Sequence, residues 1–181
     1  MDNVGTNRKL ILYISSSLDG YIAKPNDDLS FLGMVQKEGE DYGYAAFIET
    51  VDTVILGRKT YEWVLQFVDF PHADKNAYII TRTERPAIGN TIFYTGDLKA
   101  LVAKLKSEKG KNIFCDGGAE IVHELLKDNL IDEFIISVIP IVLGGGTRLF
   151  KDGFPEQKLE LVSTKSFEKG LVQLHYKVFK D

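Results

Sequence analysis

Residues 112–127, Asn-Ile-Phe-Cys-Asp-Gly-Gly-Ala-Glu-Ile-Val-His-Glu-Leu-Leu-Lys, hold the most telling pattern of this chain. A short apolar strand, Ile113-Phe114-Cys115, runs through Asp116 into Gly117-Gly118 and straight into a helical pattern from Ala119. That order suits a phosphate. Paired glycines let a ligand approach the backbone without Cβ interference, and the unpaired N–H groups of the first turn, at Ala119, Glu120 and beyond, carry partial positive charge. A purely structural strand-to-helix turn is often built from the same pair, so the motif alone leaves both readings open.

Working outward, Lys9 to Ile14 reads as a strand, followed by Ser15-Ser16-Ser17, Leu18 and the turn pair Asp19-Gly20, with Tyr21-Ile22-Ala23 resuming it. Residues 24–37 are polar enough for a loop that could lie over a ligand. Asp41, Tyr44, Ile48 and Val51 fall at helical spacing with Phe47 beside them, which predicts an amphipathic helix whose apolar stripe faces the core. Short strands at 53–56, 77–80 and 91–94 and helices at 59–67 and 97–108 follow, the last with a leading Asp97. Residues 134–139 are almost wholly apolar, as in a strand buried on both faces, and 159–167 and 171–179 form a closing antiparallel pair around Lys169-Gly170. The whole predicts a three-layer α/β/α fold with a mixed sheet of about eight strands.

At 181 residues and 44% hydrophobic, the chain supports one sizeable core, so a single domain over 1–181 is expected, with its core at about 9–179. A net charge of -4 argues against nucleic acid or an anionic membrane as main partner. No apolar run approaches the ~20 residues that span a bilayer, and no leader is evident, so a cytoplasmic location is expected. The lone Cys115 lies in an apolar strand and reads as a small buried thiol ahead of a catalytic one. His72, His123 and His175 have no metal-ligand spacing with each other or with Cys115, so no metal is expected.

Gly57-Arg58-Lys59-Thr60-Tyr61-Glu62 repeats the logic of the opening stretch: a strand ends on glycine and a helix starts with two cations and a hydroxyl. Taken singly, Arg58 and Lys59 also read as solvated surface charges. Thr81-Arg82 follows another short strand, and ligands of α/β sheets gather at strand carboxyl ends. Three such ends with phosphate-type donors are accounted for economically by one dinucleotide carrying a 2′-phosphate.

These motifs in this order resemble the dihydrofolate reductase superfamily: Ser17-Leu18-Asp19-Gly20, the run 57–62, Thr81-Arg82 and Gly117-Gly118. More closely, the chain is similar to stand-alone relatives of the reductase domain of the bifunctional riboflavin biosynthesis deaminase-reductase, through Leu130-Ile131-Asp132-Glu133, Pro140 and Leu143-Gly144. The zinc-binding motifs of the deaminase half are absent from the sequence. The resemblance implies NADPH as cofactor, a small-molecule heterocycle as substrate, and a homodimer, with the late apolar strands as its interface.

Carried over by position, the resemblance puts Arg58, Lys59 and Thr60 at the adenosine-side phosphates, with Thr81 and Arg82 near the 2′-phosphate. Gly117-Gly118 falls at the pyrophosphate, where this superfamily often has a cis peptide, and the backbone of Ser15 and Ile22 falls at the nicotinamide carboxamide. Thr147, after Gly144-Gly145-Gly146, matches the threonine that supports the substrate-side acid, although the triple glycine also reads as a flexible turn. Asp41, sixteen positions ahead of Gly57, matches the substrate-binding acid itself. At the edge of an apolar stripe its carboxyl is expected to be partly desolvated, with a raised pKa useful for managing a proton. It also reads as an ordinary helix-start aspartate. Asp19 is a second candidate acid, alongside its reading as half of a common turn pair.

The chain departs from both patterns on the substrate side. Residues 60–65, Thr-Tyr-Glu-Trp-Val-Leu, replace the Asp-Asp-Pro-x-Leu type segment that the riboflavin enzymes place near the ribityl phosphate. Phe31 stands in the loop where dihydrofolate reductases carry tryptophan. The expectation is therefore an NADPH-dependent reductase of a pteridine- or aminopyrimidine-like compound, as in 5-amino-6-(5-phosphoribosylamino)uracil reduction. Dihydrofolate reductase proper and a non-catalytic dinucleotide-binding protein are the alternatives.

Overall fold

The computed structural model describes residues 7–179. Among the described residues are ten strands and four α-helices: β1 Leu10–Ser17, β2 Tyr21–Ala23, α1 Tyr44–Glu49, β3 Val51–Gly57, α2 Arg58–Val64, β4 Asn76–Ile80, β5 Thr91–Tyr94, α3 Leu98–Ser107, β6 Asn112–Gly117, α4 Ala119–Lys127, β7 Glu133–Ile139, β8 Thr147–Arg148, β9 Leu159–Ser166 and β10 Val172–Val178. Eight strands form one mixed sheet in the order β5-β4-β3-β6-β1-β7-β10-β9. The first six are mutually parallel, and β10 runs antiparallel to both β7 and β9.

The two-residue period of the strands divides the core. Leu10, Leu12, Ile55, Ile113 and Cys115 pack on one face with Leu101, Val102 and Leu105 of α3 and Ile121, Val122, Leu125 and Leu126 of α4. Ile11, Val54, Leu56, Ile79 and Phe114 point the other way, against Phe47 of α1 and Tyr61 of α2. The apolar positions of α4 recur one and four apart, which gives a single buried stripe. Leu125, fully enclosed, contributes about 1.5–3 kcal/mol by burial alone. Asp97 caps α3 by accepting the Ala100 N–H at 2.7 Å.

Several local expectations are corrected. The 24–37 segment is not simply a loop: residues 25–27 and 30–35 are 3₁₀-helical, and Phe31 and Val35 are buried with Ile139 and Leu171. Helix α1 begins only at Tyr44, and Val51 already belongs to β3, because Gly43 has a positive φ that interrupts any helix entering from Asp41. Tyr21–Ala23 does not resume β1 but pairs with β8 in a separate two-stranded ribbon. Strand β7 is not enclosed on both faces. Its Ile135, Ile136 and Val138 are only half-buried, since helices α1, α2 and α4 contact β3, β4 and β6 and leave β9 mostly exposed.

Candidate dinucleotide site and adjoining cleft

Strand register places three of the motifs side by side. Leu56 of β3 is paired with Gly117 of β6, and Gly57 with Ile80 of β4, immediately before Thr81. From β3 the chain moves outward to β4, whereas from β6 it moves the opposite way to β7, so strand order reverses between β3 and β6. Open α/β sheets bind ligands at the carboxyl ends of strands at such a reversal.

The glycines there allow close approach. A Cβ on Gly118 would stand 3.3 Å from Thr60 Oγ1, and one on Gly57 3.2 Å from Ile121 Cγ1. Gly117, at φ +98°, adopts a conformation that side chains avoid, and the Gly117-Gly118 peptide is cis. No side chain caps α4, so its first-turn amides are left for another acceptor.

The cations differ in availability. Arg58 Nη1 lies 2.7 Å from Glu62 Oε2, and Arg85 Nη2 lies 3.0 Å from the other Glu62 oxygen, so Arg58 is already partnered. Lys59 and Arg82 are exposed and make no salt bridge among the described residues. Thr81 is buried, and its hydroxyl accepts the Thr83 N–H at 3.2 Å, which shapes the turn that presents Arg82. The Glu120 carboxylate is ion-paired with Lys151, which lowers its pKa, so toward a ligand Glu120 offers its backbone N–H. A tight glycine cradle, an uncapped helix start and two unpaired cations fit the phosphates of a dinucleotide.

Beside the end of β1 lies a cleft of about 700 Å³ whose lining includes Tyr13, Ser15, Asp41, Tyr42, Tyr44 and Ser137. Ser15 and Asp41, far apart in sequence, thus share one cavity. The expected state of Asp41 is corrected, however. It is exposed and precedes α1, its Oδ1 accepts the Gly43 N–H at 2.9 Å, and its Oδ2 accepts the Ala45 N–H at 3.0 Å. These amides lower its pKa, the Ala45 bond most, in place of the rise that desolvation would produce. Tyr44 behaves oppositely, with burial first and the nearby Asp116 charge next pushing its hydroxyl up to about 12.

Asp19 serves as a lock. Ser17 Oγ donates to it at 2.6 Å, and the Leu143 and Gly144 amides donate at 3.0 and 2.7 Å, so its carboxyl is pulled down to about 2 by these bonds, Ser17 first. The triple-glycine segment is therefore anchored: Ala23 pairs with Thr147, and Leu149 N–H donates to Gly20 O at 2.9 Å. Gly146 lies so close to Ala23 that a Cβ would meet its carbonyl oxygen at 2.0 Å. Ile22 and Thr147 both lie in this small ribbon, where Ile22 packs against the main core.

Three features escaped the sequence reading. Tyr13 and Tyr42 line the cleft, although Tyr13 looked like any strand aromatic. His72, 3% exposed, holds its Nε2 3.4 Å from Asp116 Oδ2 while its Nδ1 has no partner. Only the position of Asp116 directly before Gly117 hinted that it would stand near the site. Cys115 is buried, and its thiol is pushed up to about 12 by desolvation, in keeping with a structural role. Among the described residues no group of His, Cys, Asp or Glu could hold a metal ion, and no helix is long and apolar enough to cross a membrane.

The mixed eight-stranded sheet and its strand order define an α/β fold of the dihydrofolate reductase type. The structure of dihydrofolate reductase from Enterococcus faecalis, complexed with NADP(H), superposes with a TM-score of 0.65 over 95% of this chain and 97% of that one, at 18% identity. The chain belongs to the RibD C-terminal domain family, whose model matches residues 8–173. Protein YwjB of Bacillus subtilis is 47% identical over 171 residues, covering 93% of this chain and 97% of that protein. A Shewanella sp. PV-4 protein named for riboflavin biosynthesis superposes with a TM-score of 0.86 at 29% identity, over 95% of this chain and 99% of that one.

Proposed function

We propose that the chain is an NADPH-dependent reductase that acts on a small pteridine- or aminopyrimidine-like heterocycle. The observation that carries this reading is the convergence of Gly57–Thr60, Thr81-Arg82 and Gly117-Gly118 at one sheet reversal, next to a cleft that contains Ser15. In this reading the first-turn amides of α4, including those of Ala119 and Glu120, hold the diphosphate, and Thr60 closes over it from α2. Lys59 and Arg82 take the additional phosphate, with Arg58 contributing less because Glu62 already neutralises it. The backbone of Ser15 and Ile22 fixes the carboxamide at the mouth of the cleft.

Bound there, NADPH supplies a hydride, and the protein's part is to position and shield the acceptor. Asp41, held ionised by its two amides, serves as a hydrogen-bond acceptor for a substrate N–H or O–H rather than as a proton donor. Asp19 and Thr147 lie outside the cleft lining, Asp19 anchoring the glycine-rich segment and Thr147 pairing within the ribbon. A homodimer through the exposed β9–β10 end, where Leu161 and Val162 face solvent, belongs to the same reading. The test is NADPH oxidation, followed by its absorbance, across pterins, aminopyrimidines and simple carbonyl compounds. Turnover of a heterocycle is expected, and oxidation of none of them removes the catalytic reading. Saturable binding without turnover would favour the non-catalytic dinucleotide-binding protein, a reading that the engagement of Asp41 by its own helix supports.

A further inference from the structure

We infer that the cleft beside Ser15 selects an acceptor that carries no phosphate: a planar, uncharged or cationic heterocycle. This rests on the reading of that cleft as substrate space. Its walls are aromatic and held in place. The Tyr13 ring stacks on Phe47 with centroids 4.4 Å apart, Tyr44 meets Tyr13 edge-on at 5.8 Å, and Tyr42 meets Phe167 edge-on at 4.9 Å. Fixed ring faces of this kind favour a flat ligand. At the inner end, Gln173 Nε2 donates to Ser137 Oγ at 3.1 Å, which leaves the Ser137 hydroxyl proton to be donated elsewhere.

Carboxylates outnumber cations around the cleft. Glu38, Glu40 and Asp41 line it, and Lys37, the lysine among its described lining residues, is ion-paired with Glu168. Lys169, on the neighbouring turn, donates to the Gln36 carbonyl at 2.5 Å and keeps its charge, which leaves the carboxylates in excess. Glu40 Oε1 is fixed by the Tyr42 N–H at 2.8 Å, and Asp41 by the two amides of its own turn. A phosphate on the acceptor would thus enter a space with three carboxylates and no uncommitted cation among the described lining residues, well within a Debye length of them. Lys59 and Arg82, which make no ion pair among the described residues, stand instead at the ends of β3 and β4. The molecule thereby separates its charges, with phosphate donors at the sheet reversal and carboxylates at the acceptor cleft.

The test is calorimetric titration of the full chain, with and without NADPH, using two matched pairs of probes. These are 5-aminouridine with its 5′-monophosphate, and neopterin with its triphosphate. The member without phosphate is expected to bind roughly tenfold tighter in at least one pair, since like-charge juxtaposition is strongly disfavoured at a binding surface. Glu38→Lys should narrow that ratio severalfold. Glu38 is exposed and has no hydrogen bond or ion pair among the described residues, so the variant should melt like the parent chain. Equal or tighter binding of the phosphorylated member overturns the inference, and so does failure of all four probes to bind at millimolar concentration. Loss of NADPH binding would sink the reductase reading separately, because the cofactor-free titration still reports the charge preference.

Discussion

Gly118 and Thr60 sit so close that a Cβ on the glycine would come within 3.3 Å of the threonine Oγ1. The contact joins the two motifs that looked most like phosphate sites, one leaving β6 and the other leaving β3. It predicts coupling between them. Gly118→Ala alone should destabilise the fold and weaken NADPH binding, and Thr60→Ala in the same chain should recover part of the stability, with an interaction energy of about 0.5–1 kcal/mol. Urea unfolding of the parent, both single variants and the double variant measures it, and strictly additive effects would refute the contact.

Asp19 ties the loop after β1 to the glycine-rich segment, and its folded pKa of about 2 lies below the ordinary 3.8. A carboxyl shifted downward stabilises the fold fully above the unfolded value and loses that contribution as pH falls through the folded one. The melting temperatures of the parent chain and Asp19→Ala should therefore differ most near neutral pH and converge as pH drops from about 4 toward 2. A gap that stays constant down to pH of about 3 would show that the carboxylate's bonds to Leu143 and Gly144 contribute nothing through its charge.

Cys115 has no exposed surface, and burial holds its thiol near 12. A water-soluble disulfide reagent should leave the native chain unmodified over minutes and titrate one thiol at once in denaturant. Fast reaction of the native protein would contradict the packing of β6.

Arg8, just ahead of β1, is buried and bonds the Lys111 carbonyl at 2.7 Å, the Leu105 carbonyl at 3.0 Å, Asp52 Oδ1 at 2.5 Å and Thr53 Oγ1 at 2.8 Å. Removing one partner of such a buried network leaves other groups unsatisfied. Arg8→Ala should cost roughly 3 kcal/mol in urea unfolding. A loss below about 0.5 kcal/mol would mean that the network is solvated.

The sheet and its order of elements were legible because the strands are short apolar runs bounded by turn residues and the helices start at glycine or a capping Asp97. The convergence of Gly57, Thr81 and Gly117-Gly118 was legible for the same reason, since it is built from backbone at strand ends. The cleft beside Ser15 was not. Its walls come from β1, the 36–42 segment and β7, and no local pattern reveals that Tyr13, Tyr42 and Ser137 converge. Asp41 was misjudged in its ionisation because helical spacing from 41 to 51 concealed the left-handed Gly43, which ends the turn and lets the carboxylate cap α1. Arg8 fell outside the predicted strand, and nothing in a lone charged residue near the start announces four partners distant in sequence.

The most direct test of the account is a titration with NADPH and with NADH, repeated with a Lys59→Ala/Arg82→Ala variant. The account predicts saturable NADPH binding, tighter than that of NADH by roughly tenfold or more, and a preference that collapses in the variant while NADH binding changes little. Equal affinity for the two dinucleotides, or no saturable binding of either, would contradict it.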